Sequence, residues 1–560
     1  MKKIILSIFA LWAVTFSSNA QTFEWVKQIE GNNVDQIMSV SSNGSNIYST
    51  GSYDGITDFD PGVGTDILST VGGHDIFVQK LDQNGNLLWV KTIGGLGNDV
   101  ARIINDYGTS IIISGTFTET VDFDPGTGVL SKTSNGESDV FILALDDNGD
   151  FLWVTTIGSS ASELIGGQEL NSSNEIIVTG GFGYNMTVDV SGTPVTVLSV
   201  GMSDVFFLKM NLLTGSINWF NTIGGTGPDA GSGLAIKSNN NILITGKYRN
   251  IMDIDPSAND FSLSSNGGNS VFLAEYDGLG NFVNGFSFDS PSDMEAYDIA
   301  LDDNENIYLT GYFKTTVDFD LKAGVTDIAS NGDQDCYVVK LTSIKSLIWA
   351  RTFGGAGLDQ SFGIEVVANG DVYTVGRYSD VVDFDPGVGI ANETGNGSSW
   401  DIFIHKLNSS GDFQLVHTFG DGGSDLARGL EIGASGDMYV SGIFGGTIDF
   451  DPGAGTIDLT ATGSADAFLI KYSDLVVGLN DVQEKSVIKL YPNPAQNKLF
   501  IELEKGQVLE INILDISGKE IRSITNYNVN SINVSDLKQG VYFLKVTTEN
   551  SISTNRFIKQ

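Results

Sequence analysis

An all-β chain, a seven-bladed β-propeller followed by a small C-terminal β-sandwich, is predicted by three observations. A unit of about 65 residues occurs seven times in a row between Phe23 and Tyr472. Each unit reads as short strands with turn residues between them, so one unit cannot bury its own apolar face but a stack of units can. The array also begins with a lone fourth strand and ends with a lone third strand, which together complete a seventh blade and leave no open edge.

The repeat is carried by two landmarks. One is Trp25, Trp89, Trp153, Trp219, Asn284, Trp349 and Leu415. The other is Gly-x-aromatic: Gly51/Tyr53, Gly115/Phe117, Gly180/Phe182, Gly246/Tyr248, Gly311/Phe313, Gly376/Tyr378 and Gly442/Phe444. In the second unit, Ala101 to Ile104 and Ser110 to Phe117 are predicted as two strands around Asp106-Tyr107-Gly108. A loop with Thr120-Val121-Asp122-Phe123-Asp124-Pro125-Gly126 follows. Asp139 to Leu145 and Phe151 to Ile157 are the third and fourth strands, turned by Asp147-Asn148-Gly149-Asp150. Four antiparallel strands in radial repetition describe a propeller blade. Phe23 to Ile29 is expected to pair with Ala467 to Tyr472; an open solenoid would carry atypical polar caps instead. The unit exceeds the 40–45 residues of a WD-type blade, and the excess lies around Asp-Phe-Asp-Pro-Gly.

Gross composition limits the function. Lys2 and Lys3, an apolar run from Ile4 to Phe16 and Ser18-Asn19-Ala20 read as a signal peptide, residues 1–20, cleaved before Gln21. No later stretch reaches the roughly 20 apolar residues of a transmembrane span. The single cysteine, Cys336, excludes an internal disulfide framework and reads as a small buried side chain. With 69 Asp plus Glu against 30 Lys plus Arg, the net charge of −39 argues against nucleic acid and anionic membrane as partners. Acidic surfaces do suit divalent cations.

Two acidic constellations are candidates for chemistry. The first comprises Asp58/Asp60, Asp122/Asp124, Asp253/Asp255, Asp318/Asp320, Asp383/Asp385 and Asp449/Asp451, with Asp189 alone in the third unit. In an extended segment each pair shares one face and the intervening residue takes the other. Two carboxylates with nearby loop carbonyls suit Ca²⁺. Asp-Pro-Gly is equally a turn sequence in which Asp accepts a backbone N–H. The second constellation is Asp35, Asp99, Glu163, Asp229, Asp359 and Asp425, each six residues past an end-of-strand apolar position; Met294 takes the slot in the fifth unit. If the next strand is innermost, these carboxylates encircle one mouth of the channel, where like charges repel unless a cation or a raised pKa relieves them. Alternatively, each closes a Gly-rich turn with its charge in water. Turns such as Asp82-Gln83-Asn84-Gly85-Asn86 lack the last Glu of a calcium-binding loop and read as hairpin turns.

Transition-metal and nucleophile chemistry are disfavoured, because His74, His405 and His417 fall in three different repeat positions. A carboxylate pair for glycoside cleavage needs no histidine, but a catalytic site on a repeat scaffold should break the repeat's symmetry. Arg102, Arg249, Arg377 and Arg428 are the visible breaks, read as exposed, solvated side chains.

From Val487 the chain carries Leu490-Tyr491-Pro492-Asn493-Pro494-Ala495, Lys498-Leu499-Phe500-Ile501-Glu502-Leu503, Asp515-Ile516-Ser517-Gly518-Lys519, then Gly540-Val541-Tyr542-Phe543-Leu544-Lys545-Val546. It ends Arg556-Phe557-Ile558-Lys559-Gln560. The alternating strands alone argue for a small β-sandwich. Together these segments closely resemble the type A sorting domain of the type IX secretion system of Bacteroidota, departing from it at the final Gln560, where a basic residue is common. The resemblance implies Sec export, passage through the outer membrane and removal of the tail by a sortase-like protease, with Tyr491, Pro492, Asn493, Pro494, Asp515, Gly518, Lys519, Gly540 and Tyr542 recognised by the secretion machinery. The repeats themselves, through Gly-x-aromatic, Asp-(Val/Ile)-Phe and Asn-Gly-x-Leu-x-Trp, resemble the secreted bacterial propeller repeats called SBBP-type. The expected organisation is therefore signal peptide 1–20, propeller 21–473, linker 474–486 and sorting domain 487–560. The expected function is an exported, cell-surface-attached binding or adhesion module for a glycan or protein ligand. A secreted polysaccharide-degrading enzyme using channel-mouth carboxylates and a passive surface-coat protein are the alternatives.

Overall fold

The strand grammar read in the second unit becomes the strands Val100–Asp106, Ile111–Phe117, Asp139–Leu145 and Phe151–Ile157, paired antiparallel in chain order. The structure, a computed structural model, describes residues 21–322, 324–396, 399–473, 488–503, 508–514, 520–524, 531–548 and 552–560. The signal-peptide segment 1–20, the linker 474–486 and Asp515, Gly518 and Lys519 lie outside the described residues. The described chain is all-β, and no helix in it is long and apolar enough to cross a membrane. It divides into two compact units, one of them Gln21–Asp474.

Within Gln21–Asp474 the four-stranded pattern occurs seven times. The first six sets are continuous in the chain. The seventh joins Leu426–Ile432, Met438–Phe444 and Asp466–Ser473 to the N-terminal strand Thr22–Gly31, with Ile29 opposite Ala467 and Phe23 opposite Tyr472. The first strands of successive units lie against one another, and Gln36–Ser42 of the first also lies against Leu426–Ile432 of the seventh. The sequence landmarks mark these contacts between units. Trp89 Nε1 donates to Asp147 O at 3.1 Å, Trp153 Nε1 to Leu212 O at 3.0 Å and Trp349 Nε1 to Ser409 O at 3.2 Å, each reaching the next unit's last turn.

The glycine of Gly-x-aromatic has a different cause. An ideal Cβ on Gly115 would stand 2.1 Å from Val100 O, and the first strand skips one residue, Arg102, in its pairing there. Every unit repeats this bulge, so one residue per unit leaves the ladder.

The segment read as a loop around Asp-Phe-Asp forms two three-residue strands in six units, such as Ile56–Asp58 with Ile67–Ser69. In the first, second and fourth units these pair back onto the preceding unit's fourth strand, for example Asp58 with Glu30 and Asp122 with Gly94, and in the sixth a single bridge joins Asp383 to Gly354. The extra length of the repeat is therefore a clasp. In the third unit the clasp is replaced by one long hairpin, Glu175–Val190 with Thr193–Asn211, which places Asp189 opposite Pro194 and leaves no turn for a second aspartate.

The C-terminal residues form a three-stranded sheet, Ile488–Tyr491, Lys498–Leu503 and Ser531–Asn533, and a four-stranded sheet led by Glu520–Ile524 and closed by Ile552–Lys559. Leu499, Ile501 and Ile532 of the first share one apolar cluster with Ile511, Ile513, Leu544 and Phe557 of the second.

Candidate functional site

The six carboxylates expected at a channel mouth are buried. Asp35, Asp99, Glu163, Asp229 and Asp425 are 0% exposed and Asp359 is 1%. The local turn explains why. Asp99 accepts from Gly95 N at 2.9 Å, four residues back, and Thr118 N at 3.0 Å, at the end of the second strand. Asp359 does the same with Gly355 N and Ser379 N, and Asp425 with Asp421 N and Gly445 N. Glu163 takes Ser159 N and Oγ, Asp229 takes Arg249 N, and Asp35 takes Thr57 Oγ1 at 3.0 Å. Each closes its turn, as one reading of the sequence had it, but inside the protein and not in water. Six residues of spacing gave the position and carried no information on burial.

A second buried set is the aspartate of the Asp-(Val/Ile)-Phe motif, which the sequence reading took as a mark of the repeat without giving it a role. Asp75, Asp139, Asp335, Asp401 and Asp466 open the third strands, Asp204 lies within the long Thr193–Asn211, and all six accept the backbone N–H four or five residues back, at 2.7–3.0 Å. In the fourth unit the position is Ser270. There Asp289, at the end of the fourth strand, receives the matching N–H from Asn266 at 2.9 Å and the Ser270 hydroxyl at 3.2 Å. The carboxylate has changed strands and kept its donor.

Burial pushes these carboxyls up: Asp35, Glu163, Asp229, Asp359 and Asp425 to about 7, and Asp99, Asp75, Asp139, Asp204, Asp335 and Asp401 to about 6. The folded state then holds protons that the unfolded chain has released between about pH 4 and pH 7. Stability supplied by these groups is complete at the acid end of that window and falls as pH rises through it. Thermal unfolding should therefore occur at a higher temperature at pH 5 than at pH 8, and Asp359→Asn should flatten the slope. A melting temperature that rises from pH 5 to pH 8 would contradict this.

The paired aspartates lie on the clasps, where each member holds its own turn. Asp122 Oδ1 accepts from Asp124 N at 3.2 Å and Leu130 N at 2.7 Å, and Asp124 Oδ1 accepts from Gly126 N at 2.8 Å. Asp58, Asp253, Asp318, Asp383 and Asp449 likewise accept the N–H groups two and eight residues on. Their second members repeat the role of Asp124. Asp60 accepts from Gly62 N at 2.8 Å, Asp255 from Ser257 N at 2.9 Å, Asp385 from Gly387 N at 2.7 Å and Asp451 from Gly453 N at 2.7 Å. In the fifth unit, where Leu321-Lys322 replaces Pro-Gly, Lys322 N serves Asp320, because the turn needs only a backbone N–H. The intervening Phe59, Phe123, Phe319, Phe384 and Phe450 are fully buried.

The pairs expected to hold Ca²⁺ are engaged in turn hydrogen bonds. Among the described residues no group of three or more His, Cys, Asp or Glu side chains is placed to hold a metal ion. The reason is local: Asp58 and Asp60, Asp122 and Asp124, Asp253 and Asp255, Asp318 and Asp320, Asp383 and Asp385, and Asp449 and Asp451 each turn to separate backbone N–H groups. The turn sequence read in Asp-Pro-Gly accounts for both members of every pair, and no third acid joins them.

The residues that leave the first-strand ladder are Met38, Arg102, Gly166, Ser232, Tyr297, Phe362 and Arg428. Three from consecutive units meet. Tyr297 and Phe362 stand 5.1 Å apart between ring centroids, and the Arg428 guanidinium lies 4.9 Å over Phe362. Arg377, on the second strand, lies 3.6 Å over the Trp400 ring and donates through Nε and Nη2 to Gln360 Oε1. Gln360 donates in turn to Gln334 Oε1 at 2.6 Å. Arg102, Arg377 and Arg428, read as solvated, are each half-buried. Burial and the Arg102 and Arg377 charges press Arg428 down to about 10. Arg249 is apart from them, donating to Gly267 O.

Further along the first strands, Glu169, Asp298, Glu365 and Glu431 form an acidic belt. Burial, with the charges of Asp298 and Glu431, pushes Glu169 to about 7 and, with those of Glu431, Asp298 and Glu169, raises Glu365 well above the usual range, while burial alone lifts Glu431 to about 7. Glu169, Asp298 and Glu365 line a cavity of about 430 Å³ with Lys237. The only sequence signal for this belt was a glutamate six residues after the buried acid in three units.

The histidines stay apart: His405 is fully buried with Nε2 3.0 Å from Phe384 O, and His417 stacks on Tyr472. Cys336 is buried.

In the C-terminal unit, Asn493 Oδ1 accepts Ile558 N at 2.9 Å and Ala495 N donates to Ile558 O, so the Pro492-Asn493-Pro494 segment grips the last strand. Tyr491 stacks on Phe500 and Tyr542 on Phe557, while Gly540 opens the strand that carries Tyr542. Residues 489–560 match a family described as the secretion system C-terminal sorting domain. This tail indicates type IX secretion to the cell surface or extracellular space and an interaction with the secretion machinery. An uncharacterized WD repeat-containing protein of Acanthamoeba polyphaga mimivirus is 26% identical over 264 residues, 41% of this chain and 19% of its own length. The chain thus matches about a fifth of that relative. Among solved structures, a protein of unknown function from Bacteroides caccae is 8% identical over 61% of this chain and 89% of its own, with a TM-score of 0.29. An extracellular domain described as belonging to a one-component system of B. thetaiotaomicron is 10% identical over 97% and 98%, with a TM-score of 0.15. Superpositions this loose carry no argument about the fold.

Proposed function

We propose that residues 21–473 are a seven-bladed β-propeller of the secreted SBBP-type, exported behind a cleaved signal peptide, that serves as a binding or adhesion module at the cell surface. The observation that carries the binding role is the break in symmetry at the centre. Scaffold positions repeat in nearly every unit, whereas Arg377 and Trp400 each occur once and the bulge position changes from Met38 through Arg102, Gly166, Ser232, Tyr297 and Phe362 to Arg428; Tyr297, Phe362, Arg377, Trp400 and Arg428 all come from the fifth to seventh units. A fold that needs only to close would fill these positions alike. Seven four-stranded sets, first strands adjacent in series and a seventh set completed by the N-terminal strand support the propeller reading. The mimiviral relative, named for WD repeats, is compatible with it. The aspartate pairs have a fastening role in this reading.

The delivery half of the proposal is tested by removing residues 489–560. The full chain should reach the outer surface, accessible to added protease on intact cells. The truncated chain should accumulate inside the envelope, folded and protected. Surface exposure without the tail would overturn it.

A further inference from the structure

The cluster at the centre narrows the ligand, and this step rests on the binding-module reading. In a chain of net charge −39, acidic partners are abundant. The third-strand lysines use them: Lys80 pairs with Asp147 at 2.6 Å, Lys209 with Glu175 at 2.9 Å, Lys406 with Asp371 at 2.8 Å and Lys471 with Asp437 at 3.3 Å. Arg102, Arg377 and Arg428 do not. Among the described residues none of them has a carboxylate within ion-pair distance, and Arg102 Nε is buried without a hydrogen-bond partner. Glu295, the acid nearest Tyr297, is already held by Lys247 at 2.9 Å. Glu365 and Glu431 sit three residues further along the strands of Phe362 and Arg428, and they are not among the charges that act on Arg428.

Two of the three guanidiniums are also held in place. Arg377 is fixed between Trp400 and Gln360, and Arg428 rests on Phe362. Stacking on an aromatic face leaves the in-plane N–H groups of a guanidinium directed outward, the geometry that takes a planar or tetrahedral oxyanion. We propose that Arg102, Arg377 and Arg428 bind the acidic group of an anionic saccharide, a uronic or sulfated sugar of an extracellular polysaccharide. Tyr297, Tyr312 and the amides of Gln334 and Gln360 favour a sugar over an acidic peptide, because a hydroxyl-rich ring needs both apolar faces and two-way hydrogen-bonding groups.

The test titrates the full mature chain calorimetrically with oligogalacturonate, a chondroitin sulfate oligosaccharide, a neutral galactan oligosaccharide and poly-glutamate, at low and high salt. At least one acidic sugar should bind, more weakly at high salt, with the neutral galactan at least about 10-fold weaker. Arg428→Gln and Arg377→Gln should each lower affinity about 10- to 100-fold. Arg428→Lys should fall between, and unchanged unfolding temperatures show that the variants fold. Unchanged affinity in the folded arginine variants would overturn the assignment. Poly-glutamate binding as tightly as the sugars would overturn the saccharide class. Neutral galactan bound equally well, and lost with Phe362→Ala, would overturn the anion site but leave the binding module standing. Failure of all four probes would overturn both.

Discussion

Deletion of residues 22–31 should abolish cooperative unfolding of the repeat unit. That strand supplies the fourth strand of the seventh set and pairs with Asp466–Ser473 from Thr22 to Ile29. It brings Ile29, 3% exposed, into the apolar cluster shared by Tyr53, Phe59 and Phe77, sets Phe23 edge-on to Tyr472, and sends Gln28 Nε2 to Asp466 at 2.7 Å. Removing the strand exposes the ladder edge of Asp466–Ser473 and the apolar faces behind it. Ile29 is fully buried and Phe23, Trp25 and Val26 are half-buried, so at about 1.5–3 kcal/mol for full burial the four amount to roughly 4–8 kcal/mol, a large part of a whole domain's net stability. The truncated chain should lose its sharp thermal transition by circular dichroism and elute as soluble aggregate, because a free edge recruits other chains. The excised peptide added in trans should restore part of the transition. A truncated chain that melts sharply near the parent temperature would show that closure contributes little.

What was legible in the sequence follows from what repeats. Trp89 and Trp153 bind the next unit's turn, and the Gly-x-aromatic glycines face a bulge, so both recur and both could be seen. The lone strands at the array's ends were legible for the same reason. The clasps were not, because three residues such as Thr120–Asp122 are too short to show a period of two. The aspartate pairs on those clasps were found by their repetition, but the same Asp-x-Asp spacing serves a cation shell and a turn, and only the positions of the backbone N–H groups separate the two. The acid six residues past each strand was found as well, yet its burial depends on where the second strand ends, which spacing does not encode. The centre was hardest. The sequence flagged Arg102, Arg377 and Arg428 as departures from the repeat, yet only the fold brings Phe362 against Arg428, Trp400 against Arg377 and Tyr297 against Phe362. Positions that occur once give no internal comparison.

The fourth unit carries an inverted charge pair whose loss should be the costliest point change. Its third strand has Glu275 where other units have Lys80, Lys209, Lys340, Lys406 and Lys471. Lys237 occupies the place of Asp302, the partner of Lys340 in the fifth unit. The pair is thus reversed, Lys237 Nζ to Glu275 Oε1 at 3.0 Å, and Lys345 from the next unit's turn contacts Glu275 Oε2 as well. Side-chain exposures are 5% for Glu275, 7% for Lys237 and 2% for Lys345. Lys345 holds φ of 61° where Gly85, Gly149 and Gly280 stand in other turns, so a residue suited to the contact has replaced one suited to the turn. Glu275→Ala would strand two buried ammonium groups on one side, a change that costs about 3–5 kcal/mol. Glu275→Lys should be worse, with three cations and no acid. The triple change Lys237→Asp, Glu275→Lys, Lys345→Gly rebuilds the arrangement of the neighbouring units and should recover most of the loss, although each of its members alone destabilises. Denaturant unfolding of these five variants decides the matter. If Glu275→Ala falls within about 1 kcal/mol of the parent, the lysines reach water without it; if the triple variant stays as unstable as Glu275→Lys, the inversion is tied to packing beyond the three charges.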